Sequence, residues 1–189
     1  MAKKKEINVA KNLEDVIKLK KVKKTKTKVK IISENNKYYN IVLSLDQSTS
    51  CTAWSLYDNK KLIDYGERKF KNSNLNVRIN DIKYLLEELV DKFKPDIICF
   101  EDIQNQRSVV VYKALAELLG VLLDYCIEIK KPYDIIHTKT WASFFKIKGV
   151  KREEKKINTI DYIKEQFGID VSDDIADAIC IGKYKIENM

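Results

Sequence analysis

Tyr39-Asn40-Ile41-Val42-Leu43-Ser44-Leu45-Asp46 is an apolar, β-branched run that ends on a carboxylate. Such a run reads as a central strand buried on both faces. Side chains alternate along a strand, so Asn40, Val42, Ser44 and Asp46 share one face, with Asp46 last. A charge at the end of a buried strand is costly unless it is paired or coordinated. The same ending recurs in Asp96-Ile97-Ile98-Cys99-Phe100-Glu101.

The flanking sequence predicts how these two strands are joined. Gln47-Ser48-Thr49-Ser50 reads as a turn, residues 52–57 as a second strand, and Asp58-Asn59-Lys60 as a polar hairpin turn into a third strand over 61–70. Leu75, Ile79, Ile82, Leu85, Leu86, Leu89 and Phe93 recur at helical spacing, which predicts a helix over 73–93, stopped by Pro95. A long helix over 108–129 follows the fourth strand, then a fifth strand over 132–137 and a short helix or turn over 140–145. A helix over 152–167 ends at Gly168, and Ser172 caps a last helix over 173–184. Tight turns make the first three strands antiparallel, and βαβ crossovers make the rest parallel. The expected fold is α/β: a five-stranded mixed sheet with helices on both faces. The first and fourth strands are then neighbours, and Asp46 and Glu101 lie side by side.

Charge divides the chain into two parts. Residues 1–37 carry 13 Lys against four acids (Glu6, Glu14, Asp15, Glu34), a net +9, while the whole chain carries +8, which leaves the remainder at −1. The reading is a basic, flexible N-terminal arm over 1–37 and a folded domain over 38–189. A lysine-rich arm binds phosphate backbones without reading sequence; a solubilising tail, or a nuclear-import-like patch at Lys20–Lys30, is the plain alternative. Cys51, Cys99, Cys126 and Cys180 lie in or beside apolar runs without CxxC spacing, which argues for reduced thiols in a cytoplasmic protein and against a thiolate metal site. No apolar run approaches membrane-spanning length, so no membrane partner is expected.

Adjacent carboxylates repel unless a cation lies between them. Asp174 and Asp177 are three apart on the last helix and share a face. If that helix crosses the sheet near the two strand ends, four carboxylates converge. All-oxygen ligation suits Mg²⁺ or Mn²⁺ rather than Zn²⁺. Two such ions about 4 Å apart activate water and stabilise the leaving oxygen of a phosphodiester displacement. For Asp174 and Asp177 an ordinary alternative stays open: beside Asp173 they also suit a helix N-terminus by charge alone.

Three stretches together resemble a known family: Leu43-Ser44-Leu45-Asp46-Gln47-Ser48-Thr49-Ser50-Cys51-Thr52-Ala53-Trp54-Ser55, Ile98-Cys99-Phe100-Glu101, and Asp174-Ile175-Ala176-Asp177-Ala178-Ile179-Cys180-Ile181-Gly182. In order and separation they are similar to the RuvC Holliday-junction resolvases, especially the shorter phage and Firmicutes-type members. The resemblance, over about residues 38–184, implies a ribonuclease H-like fold and a homodimer. The implied activity is a Mg²⁺-dependent endonuclease with two ions per site, with Mn²⁺ as a substitute, cutting four-way junctions and other branched DNA symmetrically. It makes Asp46, Glu101, Asp174 and Asp177 the catalytic metal ligands, the D-x-x-D-A pattern selecting Asp174 and Asp177 over Asp173. It also implies DNA contacts from basic residues between the fifth strand and the last helix, here Lys151, Arg152, Lys155 and Lys156; a solvated helix face is their alternative. Many cellular members carry an aromatic three positions after the catalytic Glu. Gln104 stands there, in Ile103-Gln104-Asn105-Gln106-Arg107, so Gln104 and Arg107 become candidate DNA contacts with altered junction preference.

The long helix over 108–129 is apolar beyond one stripe, which fits either a helix sandwiched in the core or a two-fold dimer contact. His137, the single His, reads as a hydrogen-bonded strand-end residue, and Trp54 and Trp141 as core or dimer contacts. Other functions fit parts of the pattern; a non-catalytic junction-binding protein is disfavoured because all four acids are present. An RNA–DNA hybrid nuclease of the ribonuclease H type shares the acid order but reads 2′-hydroxyls. A sugar kinase of the actin-like superfamily has a similar first loop, but that loop needs Gly where Ser48 stands so that backbone amides approach phosphate.

Overall fold

Leu43 and Leu45 face one side of the first strand, β1 (Ile41–Gln47), and Val42 and Ser44 the other; all four are fully buried, as a central strand requires. β2 (Cys51–Asp58) and β3 (Lys61–Lys69) run back and forth beside it, and β4 (Ile97–Glu101) and β5 (Tyr133–Ile136) lie parallel on its other flank. The sheet order is β3-β2-β1-β4-β5, the mixed five-stranded arrangement expected from the sequence. The computed structural model describes residues 39–104, 108–149 and 151–189. The arm over 1–37 and the candidate contact Arg107 lie outside the described residues.

Helices cover both faces. On one face α1 (Leu75–Phe93) and α2 (Val109–Glu128) bury Ile79, Ile82, Leu85, Leu86, Leu118 and Leu122 against Leu43, Leu45, Leu56, Ile98 and Phe100. On the other, α3 (Thr138–Phe144), α4 (Arg152–Phe167) and α5 (Asp173–Glu187) bury Trp141, Ile163, Ile179 and Cys180 against Val42, Tyr57, Cys99 and Ile136. Burying a side chain of this size contributes roughly 1.5–3 kcal/mol, so these two layers fix the stacking order. Trp141 is a core residue, as expected. Among the described residues no helix is long and apolar enough to cross a membrane.

The helix ends show where local chemistry refined the sequence reading. α1 starts two residues later than periodicity suggests, because the Asn74 side chain accepts from Asn76 N at 2.9 Å and serves as cap. α3 begins at Thr138 rather than 140, because His137 Nδ1 accepts from Lys139 N at 3.0 Å. His137 therefore caps a helix as well as following a strand. Gly168 ends α4 with φ 71°, a left-handed position where Gly carries no Cβ penalty.

Candidate active site

The β1–β4 ladder pairs Leu43 with Ile98, Ser44 with Cys99 and Leu45 with Phe100. One step further along lie Asp46 and Glu101, both on the face covered by α5. Beyond the last ladder pair a side chain takes over from the main chain: Gln47 Nε2 donates to the Glu101 carbonyl at 2.7 Å, and Glu101 N donates to Gln47 Oε1 at 3.3 Å. The strand ends are thereby clamped, and the Asp46 and Glu101 carboxyls meet in a hydrogen bond. The Thr138 hydroxyl, at the first residue of α3, donates to Glu101 Oε1.

α5 reaches these strand ends because its contact face is small. Ala178 and Gly182 lie one turn apart on the line that also carries Asp174. A Cβ at Gly182 would stand 2.6 Å from Ser44 Oγ and 2.9 Å from Ser55 Oγ, so only hydrogen fits there. Beneath it the Ala178 carbonyl accepts from the Ser44 and Ser55 hydroxyls, and the Ile179 carbonyl accepts from Tyr57 Oη. These bonds lock the helix at close range, with its N-terminal turn over the ends of β1 and β2. The Ser172 hydroxyl caps that turn, accepting from Ile175 N and donating to Glu67 of β3.

The charges of Glu101, Asp177 and Asp174 all act on Asp46. Burial pushes the Asp46 carboxyl well above the usual range, and the charges of Glu101, Asp177 and Asp174 push it further. Burial and the Glu101 charge push Asp177 up to about 7. Glu101 is also raised by burial, although Thr138, Asp46 and the Lys155 charge draw it down. Asp173 behaves differently. Burial pushes it up, but Lys156 bonds to it, and the net shift is downward, to an ordinary ion-paired carboxylate. The helix therefore turns Asp174 and Asp177 toward the strand-end acids and Asp173 toward α4.

Asp174 has neighbours that the sequence did not foretell. Cys51 Sγ and carboxylate oxygens of Glu67 and Asp174 lie within 4.8 Å of one another. Burial and a hydrogen bond to Asp174 push the Cys51 thiol up to about 12, so at neutral pH it is a protonated donor to that carboxylate. Glu67 is in turn bound by Ser172 and Lys69, which lower it. Cys51 thus braces Asp174 from the β2 side, while Glu67, held by Ser172 and Lys69, adds a second negative charge beside it.

The candidate DNA contacts divide. Lys155 Nζ lies 5.0 Å from the Trp141 ring centre, and its charge acts on Glu101 and Asp177, which puts a cation beside the acids. Lys156 is engaged by Asp173. Lys151 and Arg152 are exposed at the start of α4, where Glu153 and Glu154 offset their charge. Gln104 is exposed, but its amide is turned back onto Thr138. Sequence reasoning missed Gln47, Thr138, Cys51 and Glu67. The faint signals were Gln47 directly after Asp46, and Thr138 just past the end of the strand beside β4.

The donor set fits hard divalent cations: all are carboxylates, and Asp46, Glu101 and Asp177, raised by burial, need a cation beside them to ionise together. No family model matches the sequence, and no curated protein matches it. Solved structures match the fold. Thermus thermophilus RuvC in complex with a Holliday junction substrate aligns with a TM-score of 0.62 at 15% identity, covering 78% of this chain and 94% of that one. The fowlpox virus resolvase in complex with Holliday junction DNA gives 0.54 at 16%, covering 78% and 97%. The yeast mitochondrial Holliday junction resolvase gives 0.52 at 18%, covering 77% of each. The chain has the ribonuclease H-like fold that these resolvases share.

Proposed function

We propose that this protein is a divalent-metal-dependent nuclease that cuts branched DNA, four-way junctions above all, as a homodimer. The observation that carries this reading is the buried Asp46–Glu101 pair at the strand ends of a RuvC-like fold, with the charges of Asp174 and Asp177 acting on Asp46. Those carboxylates would hold Mg²⁺ or Mn²⁺, two per site. Bound there, the metal supplies charge neutralisation for an in-line phosphodiester displacement.

The chain's own groups set the geometry. Gln47 and Thr138 fix Glu101; the Cys51 thiol and the Ser172 cap of α5 fix Asp174. Lys155, beside Trp141 and close enough to act on Glu101 and Asp177, would bind the phosphate being cut. Lys151 and Arg152 offer backbone contacts further out. Two symmetric cuts require two sites, and the outward row Val109, Val110, Val111 and Tyr112 supports a two-fold pairing of α2. Val109 and Val110 are 67% and 77% exposed, which is costly unless another surface covers them.

Asp46→Asn tests the site. We expect the wild-type protein to cut a four-way junction in Mg²⁺ or Mn²⁺, and the variant to lose at least about a hundredfold in rate while still binding the junction. Full activity in Asp46→Asn removes the site assignment. A wild type that leaves the junction intact and cuts an RNA–DNA hybrid replaces the junction reading with the hybrid one.

A further inference from the structure

Besides its bond to Asp46, Glu101 is gripped at its main chain by Gln47 and at its carboxylate by Thr138, and another side chain stands behind Thr138. The Thr138 hydroxyl donates to Glu101 Oε1, and Gln104 Nε2 donates to the Thr138 oxygen. A hydroxyl has one proton. An ionised carboxylate only accepts, so Thr138 must spend that proton on Glu101 and show a lone pair to Gln104. The NH₂ end of the Gln104 amide satisfies that lone pair. Turned over, the amide would offer its oxygen, take the proton and leave Glu101 facing a lone pair. Thr138 is 4% exposed and has little water to turn to instead.

We propose that Gln104 and Thr138 form a positioning relay for Glu101. Gln104 sets the direction of the Thr138 hydroxyl proton, and the resulting bond holds the Glu101 carboxylate in the orientation that binds metal. The relay makes Gln104, at a position expected from the sequence to touch DNA, a residue that acts through Thr138. It deepens the nuclease reading and rests on it. Partners of this kind, one step removed from a metal, typically change metal affinity by about 10–100-fold when lost.

Calorimetric Mn²⁺ titration of the full chain without DNA tests the relay, alongside the Mg²⁺ dependence of junction cleavage. Thr138→Val, which keeps the shape and removes the hydroxyl, is expected to weaken Mn²⁺ binding about 10–100-fold. Thr138→Ser is expected to restore it to within about threefold. Gln104→Met is expected to shift Mn²⁺ affinity and the Mg²⁺ requirement about 3–10-fold in the same direction, with metal-free junction affinity unchanged. Far-UV circular dichroism checks that each variant folds, and Thr138→Ser and Gln104→Met carry the test should Thr138→Val not fold. The relay is overturned by wild-type Mn²⁺ affinity in a folded Thr138→Val. It is overturned too if Gln104→Met weakens junction binding while leaving metal affinity alone, which would make Gln104 a DNA contact. A wild type that neither binds Mn²⁺ nor cuts DNA overturns the nuclease reading along with the relay. A wild type that does both beside an unaffected Thr138→Val overturns the relay alone.

Discussion

Asp177 is a carboxyl that folding forces to keep its proton. Burial and Glu101 raise it to about 7, against about 3.9 in an unfolded chain. Between those values the folded protein binds a proton that the unfolded chain releases. Its contribution to stability is therefore complete below about pH 4 and lost as pH rises through about 7. Asp46 and Glu101 shift in the same direction and steepen the loss. Glu67 and Asp173 shift downward and lose their contribution only at acid pH. The metal-free protein is thus expected to melt at a higher temperature at pH 5 than at pH 8, with Mn²⁺ restoring stability at pH 8. Asp177→Asn is expected to flatten that difference and to stabilise the metal-free protein at pH 8 by on the order of 1–2 kcal/mol. Thermal melts with and without chelator measure both. A lower melting point for Asp177→Asn at pH 8 would mean that the Lys155 charge outweighs burial. Asp46 and Glu101 were legible in the sequence because a carboxylate ending an apolar strand has few cheap explanations. Thr138 and Gln47 were not, because a lone Thr or Gln gains meaning only from the strand end beside it.

α5 shows the same contrast at the scale of an element. Its existence, its Ser172 cap and its acidic pair could be read from the sequence, but its closeness to the sheet could not. That closeness depends on Gly182 and Ala178 meeting Ser44 and Ser55, small residues far apart in the chain. Gly182→Ala sets two effects against each other. Alanine in a helix interior gains about 1 kcal/mol over glycine. The new Cβ, 2.6 Å from Ser44 Oγ and 2.8 Å from the Tyr57 ring, costs about 1–3 kcal/mol in overpacking. Neither neighbour has room to move, since Ser44 and Tyr57 are buried and both bond to α5 itself. Overpacking is therefore expected to win, with a net loss of about 1–2 kcal/mol in denaturant unfolding. The lifted helix also carries Asp174 and Asp177 off the strand ends, so cleavage is expected to fall further than stability alone accounts for. A more stable Gly182→Ala with unchanged cleavage would mean that α5 has slack against the sheet. The start of α3 was missed for a related reason: its cap is His137, a residue type that helix-start rules do not favour.

Over the whole molecule, charge and chemistry are separated along the chain. The domain carries the acids and is close to neutral, while residues 1–37 carry a net +9. Sequence order alone could place the strands, because tight turns and right-handed crossovers leave few topologies. For the arm we propose, from composition, a sequence-independent grip on phosphates. Each phosphate neutralised contributes about −0.9 to the slope of log affinity against log salt. Replacing Lys20, Lys21, Lys23, Lys24, Lys26, Lys28 and Lys30 by Gln in the full chain removes most of that charge and leaves the acid site untouched. The expected result is a shallower salt slope and weaker binding to junction and linear duplex alike. The cleavage rate at saturating junction in Mn²⁺ is expected to stay within about twofold, because phosphate contacts position without specifying. Fluorescence anisotropy across a salt series measures the first pair, and single-turnover cleavage the second. An unchanged slope would return the arm to the solubilising tail. A selective loss on the four-way junction would instead make the arm part of branch recognition, a role that charge alone does not provide.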